Sequence, residues 1–128
     1  MTVEIDTSVV DRVLAVYRGV NTLTRTADER LADTGLTFIQ TMVLHQLVAR
    51  GASQPRDVWQ KMAVRSQAIT GVLDRLERAG YVERVRDLHD RRAVRLVVTE
   101  KGRAAYEQAF PELVEVCAYY LGATQHEE

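Results

Sequence analysis

Apolar residues recur along the first part of the chain at helical spacing. Val9, Val13, Val16, Val20, Leu23, Ala27 and Leu31 are separated by three or four positions, which aligns them along one side of a helix of roughly 25 residues. Ser8 and Asp11 fit a capping pattern at its start, and Gly35 ends it. A stripe of that length needs a partner along all of it. Thr37 and Gln40 form a second capping box, so the next helix starts at Phe38 and buries Phe38, Ile39, Met42, Val43, Leu47 and Val48. Arg50 and Gly51 close it. Pro55 suits the first turn of a short third helix whose apolar positions are Val58, Trp59 and Met62. Ser66 serves as N-cap of a fourth, with Ile69, Val72, Leu73 and Leu76 on its buried side and Gly80 at its end. Only residues 63–65 separate the third helix from the fourth, which predicts a helix-turn-helix.

The period then changes. YVERVR (81–86) and AVRLVV (93–98) read as two short strands joined by DLHDRR. Val94, Leu96 and Val98 alternate as one buried strand face. Thr99 caps a last helical segment, which Pro111 is expected to break or kink before helical spacing resumes through Leu113, Val116 and Tyr120. A helix-turn-helix followed at once by a hairpin is a winged helix. The expected fold is therefore mainly α with a small β component (α+β), a winged helix-turn-helix with flanking helices.

Composition narrows the field. The chain has 128 residues, which fits one domain. No apolar run approaches the ~20 residues of a membrane span, and the N-terminus lacks the basic and apolar regions of a signal peptide. The single cysteine, Cys117, allows no internal disulfide, and a cytoplasmic location is the expectation. The net charge of −1 hides an asymmetry. Residues 1–49 sum to −2 and residues 104–128 to −5, whereas residues 50–103 hold thirteen basic and seven acidic side chains and sum to +6. A basic block across the helix-turn-helix and hairpin is a local field suited to a polyanion. The fourth helix would enter a major groove and the hairpin loop would lie over the neighbouring backbone or minor groove.

Residues 36–103 resemble the MarR family of bacterial transcriptional regulators. The matching pieces are LTFIQTMVLHQL, AITGVLDRLERAGYVER and DRRAVRLVVTEKG, in the family's order and spacing. The long first helix and AFPELVEV also look like the family's dimerisation helices. The resemblance implies a homodimeric regulator, most often a repressor, on a palindromic operator of double-stranded DNA, with possible release by a small aromatic effector. It divides the single domain into a dimerisation helix (7–34), the winged helix-turn-helix (36–99) and a C-terminal dimerisation segment (100–128) that lacks the family's last helix. It places DNA contacts at Arg65, Ser66, Gln67 and Thr70, with Arg75 nearer the backbone. In the wing, Asp90 would brace Arg92 for the minor groove, with Arg91 as its backbone neighbour. Two positions depart from the family pattern. Ala63 holds a turn position where glycine is usual. Gly71 stands where a polar or basic residue is common; in mid-helix it costs roughly 1 kcal/mol relative to alanine, and it allows a close approach to DNA or to another helix, or else marks a weaker phosphate contact.

Simpler readings stand beside these. Asp90, Arg91 and Arg92 also fit a surface ion pair of about 0–1 kcal/mol. Arg84 and Arg86 either flank the groove or solvate the hairpin, Arg95 is supporting charge, and Asp87 shapes the turn. Tyr17, Phe38 and Tyr106 are candidates for an effector pocket, although helical aromatics are more often core. Cys117 lies among acidic and apolar neighbours, which favours packing over oxidant sensing. His45, His89 and His126 show no metal-ligand spacing, and no cofactor is implied. No nucleophile elbow, phosphate loop or metalloprotease motif is present, which argues against an enzyme. The alternative is a winged-helix protein-interaction module or a regulator antagonist that does not bind DNA specifically.

Overall fold

The computed structural model describes residues 5–90 and 93–125. Five helices and one hairpin follow in the order α1 (Ser8–Leu31), α2 (Phe38–Val48), α3 (Pro55–Lys61), α4 (Ser66–Arg78), β1 (Val82–Arg86), β2 (Val94–Val98) and α5 (Glu100–Gln125), with a single 3-10 turn, Ala32–Thr34, after α1. The fold is the mainly helical winged helix expected, with a two-stranded antiparallel sheet.

Capping decides several boundaries. Thr37 accepts from the Gln40 N–H at 3.2 Å and Gln40 Oε1 accepts from the Thr37 N–H at 3.0 Å, so the predicted box starts α2. The box expected from Ser8 and Asp11 does not form. Ser8 is already helical, and its N–H donates instead to Asp6 Oδ1 at 2.9 Å. Hydrogen bonds from Ser8 hold the Asp6 carboxyl below its ordinary pKa. At α4 the cap position falls on Arg65, one residue before Ser66, and no side chain caps it. Pro111 does not break the last segment: α5 runs through it, 26 residues long. One missing N–H is tolerable where the surrounding helix is held by packing, and Ala109, Leu113 and Val116 on either side of Pro111 are buried.

The core lies where α2, α4, the start of α5 and the hairpin meet. Val43, Leu44, Val58, Ile69, Leu73, Leu76 and Val82 are almost fully buried there. Thr41 is buried too, and its hydroxyl donates to the Thr37 carbonyl at 2.8 Å. Phe38, Ile39, Met42 and Val48, expected on the buried face of α2, are only half-buried. The strand face expected from Val94, Leu96 and Val98 is graded, with Leu96 buried, Val98 intermediate and Val94 exposed towards the tip.

α1 splits in two. Ala27 and Leu31 are buried, and Arg30 ties this end to α5 through Glu112 at 2.6 Å and Glu115 at 2.7 Å. The other half leaves Val9, Val13, Val16 and Val20 between 44% and 63% exposed. The predicted stripe is thus present, but within one chain only its C-terminal end is covered.

Candidate nucleic-acid interface

The turn between α3 and α4 is closed by backbone hydrogen bonds, from the Ala63 N–H to the Gln60 carbonyl at 3.2 Å and from the Val64 N–H to the Trp59 carbonyl at 3.1 Å. Ala63 takes φ +54°, the left-handed conformation that favours glycine. That is the position at which the sequence departs from the family's glycine. Ile69, Val72, Leu73 and Leu76 anchor α4 in the core. Arg65, Ser66, Gln67, Thr70, Gly71 and Arg75 are all exposed on its other sides. The Thr70 hydroxyl donates to the Ser66 carbonyl at 2.9 Å, which commits its proton and leaves its oxygen able to accept. Among the described residues, no ion pair engages Arg65, Arg75 or Arg86.

The wing is fixed from three directions. In the sheet Val82 pairs with Val98, Arg84 with Leu96, and Arg86 with Val94, so these residues share the face that carries Leu96 inward. The Leu96 N–H donates to the Ser53 carbonyl at 2.6 Å, which binds β2 to the segment before α3. Arg84 reaches Asp74 on α4 at 2.7 Å and Glu77 at 3.9 Å. Arg84 is therefore a strut between the strand and α4, a role that neither sequence alternative described. Arg86 lies further out and is exposed.

At the wing tip the Asp87 carboxylate accepts from the His89 N–H at 2.8 Å, an Asx turn that meets the expectation for Asp87. The Asp87 N–H donates to the Ala93 carbonyl at 3.1 Å and the Ala93 N–H to the Asp90 carbonyl at 3.0 Å, closing the loop. Asp90 is exposed and lines a cleft with Gln54, Pro55, Arg56, Ala93 and Val94. Arg91 and Arg92 lie outside the described residues. Arg95, opposite Val85, is exposed on the outer strand face.

The three effector candidates are not gathered into one pocket. Tyr17 is 65% exposed on the uncovered half of α1, and Phe38 is half-buried at the start of α2, where its N–H donates to Asp28 Oδ1 at 2.7 Å. Tyr106 is buried, which pushes its hydroxyl pKa up, and its oxygen lies 2.7 Å from His45 Nδ1. The aromatic group that does form is His45, Tyr106 and Phe110, with ring centroids 5.1–6.1 Å apart. Beside it an apolar groove between α2 and α5 is lined by Met42, His45, Phe110, Leu113, Cys117 and Leu121, among others. His45 carried no signal in the sequence, because its partner lies 61 positions away. Burial raises the Cys117 thiol pKa, in keeping with a packing role. No described helix is long and apolar enough to cross a membrane.

A helix-turn-helix with an outward-facing second helix and a braced hairpin defines a winged-helix chain. The pattern described as MarR family matches residues 34–93. The repressor MdtR of Bacillus subtilis is 29% identical over 100 residues, covering 78% of this chain and 64% of MdtR's own length. Among solved structures, the Mycobacterium tuberculosis regulator MosR in complex with DNA shares 27% identity at a TM-score of 0.70, over 84% of this chain and 77% of that one. CouR of Rhodococcus jostii, bound to p-coumaroyl-CoA, shares 26% at 0.73, over 86% and 78%. The chain belongs to the MarR family.

Proposed function

We propose that this chain is a sequence-specific DNA-binding transcription regulator without enzymatic activity, a repressor acting as a homodimer on a palindromic operator. The observation that carries this reading is the outward face of α4, where Arg65, Ser66, Gln67, Thr70 and Arg75 stand exposed and, among the described residues, no ion pair engages either Arg65 or Arg75. Gln67 and Arg65 are suited to base edges, Ser66 and Thr70 to bases or phosphate, and Arg75 and Arg86 to phosphate. The wing adds Asp90, Arg91 and Arg92, with Arg92 in the minor groove. MdtR's name as a repressor and MosR's complex with DNA support the same role.

The homodimer rests on the uncovered stripe of α1. Val9, Val13, Val16 and Val20, together with Tyr119 at 80% and Leu121 at 56% exposure, form too much apolar surface for one chain to leave in water. In this reading residues 7–34 and 100–128 dimerise, and residues 36–99 bind DNA. Two α4 helices then enter successive major grooves, with half-sites ~10 bp apart. A small aromatic effector bound in the groove beside Tyr106 would release the dimer from DNA, a reading that the ligand bound to CouR supports.

A gel shift with the DNA upstream of the protein's own gene, at two salt concentrations, tests the reading. The expected result is a specific shift that weakens steeply with salt, with light scattering giving the mass of two chains. Absence of a specific shift at low salt would favour the protein-interaction module instead.

A further inference from the structure

Gly71 lies inside α4, one turn beyond Gln67, on the side away from Ile69, Val72, Leu73 and Leu76. Two turns beyond Gln67 on the same side stand Asp74 and Arg75. Its backbone angle is not of the kind that requires glycine, since the glycines at positive φ are Gly35, Gly51 and Gly80. A β-carbon added there would meet nothing within 4 Å. Nothing described within the chain therefore requires glycine at this position. Yet a mid-helix glycine disfavours the helix about fivefold relative to alanine. A glycine that the fold itself does not use, at the centre of a face turned to solvent, fits a position where something outside the chain approaches the backbone closely.

The chemistry of the notch limits what can occupy it. The helical N–H and C=O groups here are already paired along α4, and glycine has no side chain, so the notch offers no hydrogen bond. A polar base edge pressed against it would lose water and gain no partner. The major groove carries one apolar projection, the C5-methyl of thymine. We propose that the missing side chain of Gly71 makes room for a thymine methyl, so that this position selects thymine by fit while Gln67 and Thr70 beside it select by hydrogen bonding. The inference rests on the reading of α4 as the groove-entering helix.

Complementary methyl changes test it. Wild-type protein and Gly71→Ala are titrated against the shifted upstream duplex and against the same duplex prepared with deoxyuridine in place of thymidine. A random-sequence duplex serves as control, and thermal unfolding of both proteins is recorded. Gly71→Ala should unfold at a higher temperature than wild type yet bind the thymine duplex at least about tenfold more weakly, the size of one well-placed base contact. Much of that loss should be recovered on the deoxyuridine duplex, where the added protein methyl occupies the space of the missing DNA methyl. Unchanged or tighter binding of the thymine duplex by Gly71→Ala overturns the inference, as does an equal loss on both duplexes. If the wild-type protein shows no preference for the upstream duplex over the random one, the reading of α4 itself fails and the inference falls with it. A preference in the wild type with no effect of Gly71→Ala removes the inference alone.

Discussion

Gly102 joins the wing to the last helix at a point where no side chain fits. It lies in the first turn of α5, and a β-carbon there would collide with the Tyr81 carbonyl oxygen, standing 2.9 Å from the Tyr81 carbonyl carbon and 3.0 Å from its Cα. All three are backbone atoms, so no rotamer change relieves the clash. The Tyr81 segment is held in place on several sides. Its carbonyl accepts from the Thr99 N–H at 3.0 Å, its N–H donates to the Leu76 carbonyl at 2.9 Å, and the Thr99 hydroxyl donates to the Gly80 carbonyl at 2.7 Å. Gly102→Ala must push α5 off this segment. Overpacking against a rigid neighbour costs about 2–3 kcal/mol, and loss of one backbone hydrogen bond costs about 1 kcal/mol. The better helix propensity of alanine returns about 1 kcal/mol. The net is about 2–3 kcal/mol of destabilisation, which for a chain of this size lowers Tm by roughly 6–15 °C. Thermal unfolding followed by far-ultraviolet circular dichroism reads it directly. Gly122→Ala is the control, because a β-carbon there meets nothing within 4 Å, and its Tm should be equal to or above wild type. A Gly102→Ala protein as stable as wild type would refute the reasoning.

Three further outcomes are expected. Ala63→Gly should stabilise by roughly 0.5–1 kcal/mol, since it removes a β-carbon from a left-handed residue at some cost in unfolded-state entropy; a lower Tm in urea or heat would contradict this. Arg84→Met should cost less than about 1 kcal/mol, because both ends of its pair with Asp74 are partly exposed, yet it should weaken DNA binding by freeing the wing relative to α4; unchanged affinity in an anisotropy titration would rule out the strut. Cys117 should alkylate more slowly with iodoacetamide in the folded chain than in the urea-unfolded chain at neutral pH. Its pKa is raised, so the reactive thiolate is scarcer than in a free thiol and appears only as pH rises further; equal or faster reaction when folded would contradict the packing role.

What the sequence revealed, and what it hid, follows from the range of each interaction. The Thr37 and Gln40 box and the anchoring face of α4 are local, with partners three or four residues apart, and both appear in the structure as expected. The Asx turn at Asp87 is equally local. The strut from Arg84 to Asp74 joins residues ten positions apart on different elements, and an arginine-rich run offers no means of telling which member turns back to a helix. The clash awaiting Gly102 depends on where α5 crosses the strand, and the pair of His45 with Tyr106 depends on how α2 lies along α5. Pro111 is locally a signal for a break or a kink, and no break follows because buried residues on both sides keep α5 continuous. The α1 stripe was visible as a pattern, and its uncovered half is the feature that one chain cannot explain.

The central claim is that α4 reads base sequence. Its most direct test compares wild type and Gln67→Ala for affinity to the upstream duplex and to a shuffled duplex of the same length and composition, at fixed salt. The account predicts that wild type strongly prefers the upstream duplex. It also predicts that Gln67→Ala loses about 1–3 kcal/mol of that preference while its binding to the shuffled duplex stays the same. A wild-type protein that binds both duplexes equally, or a Gln67→Ala protein that keeps the full preference, would contradict it.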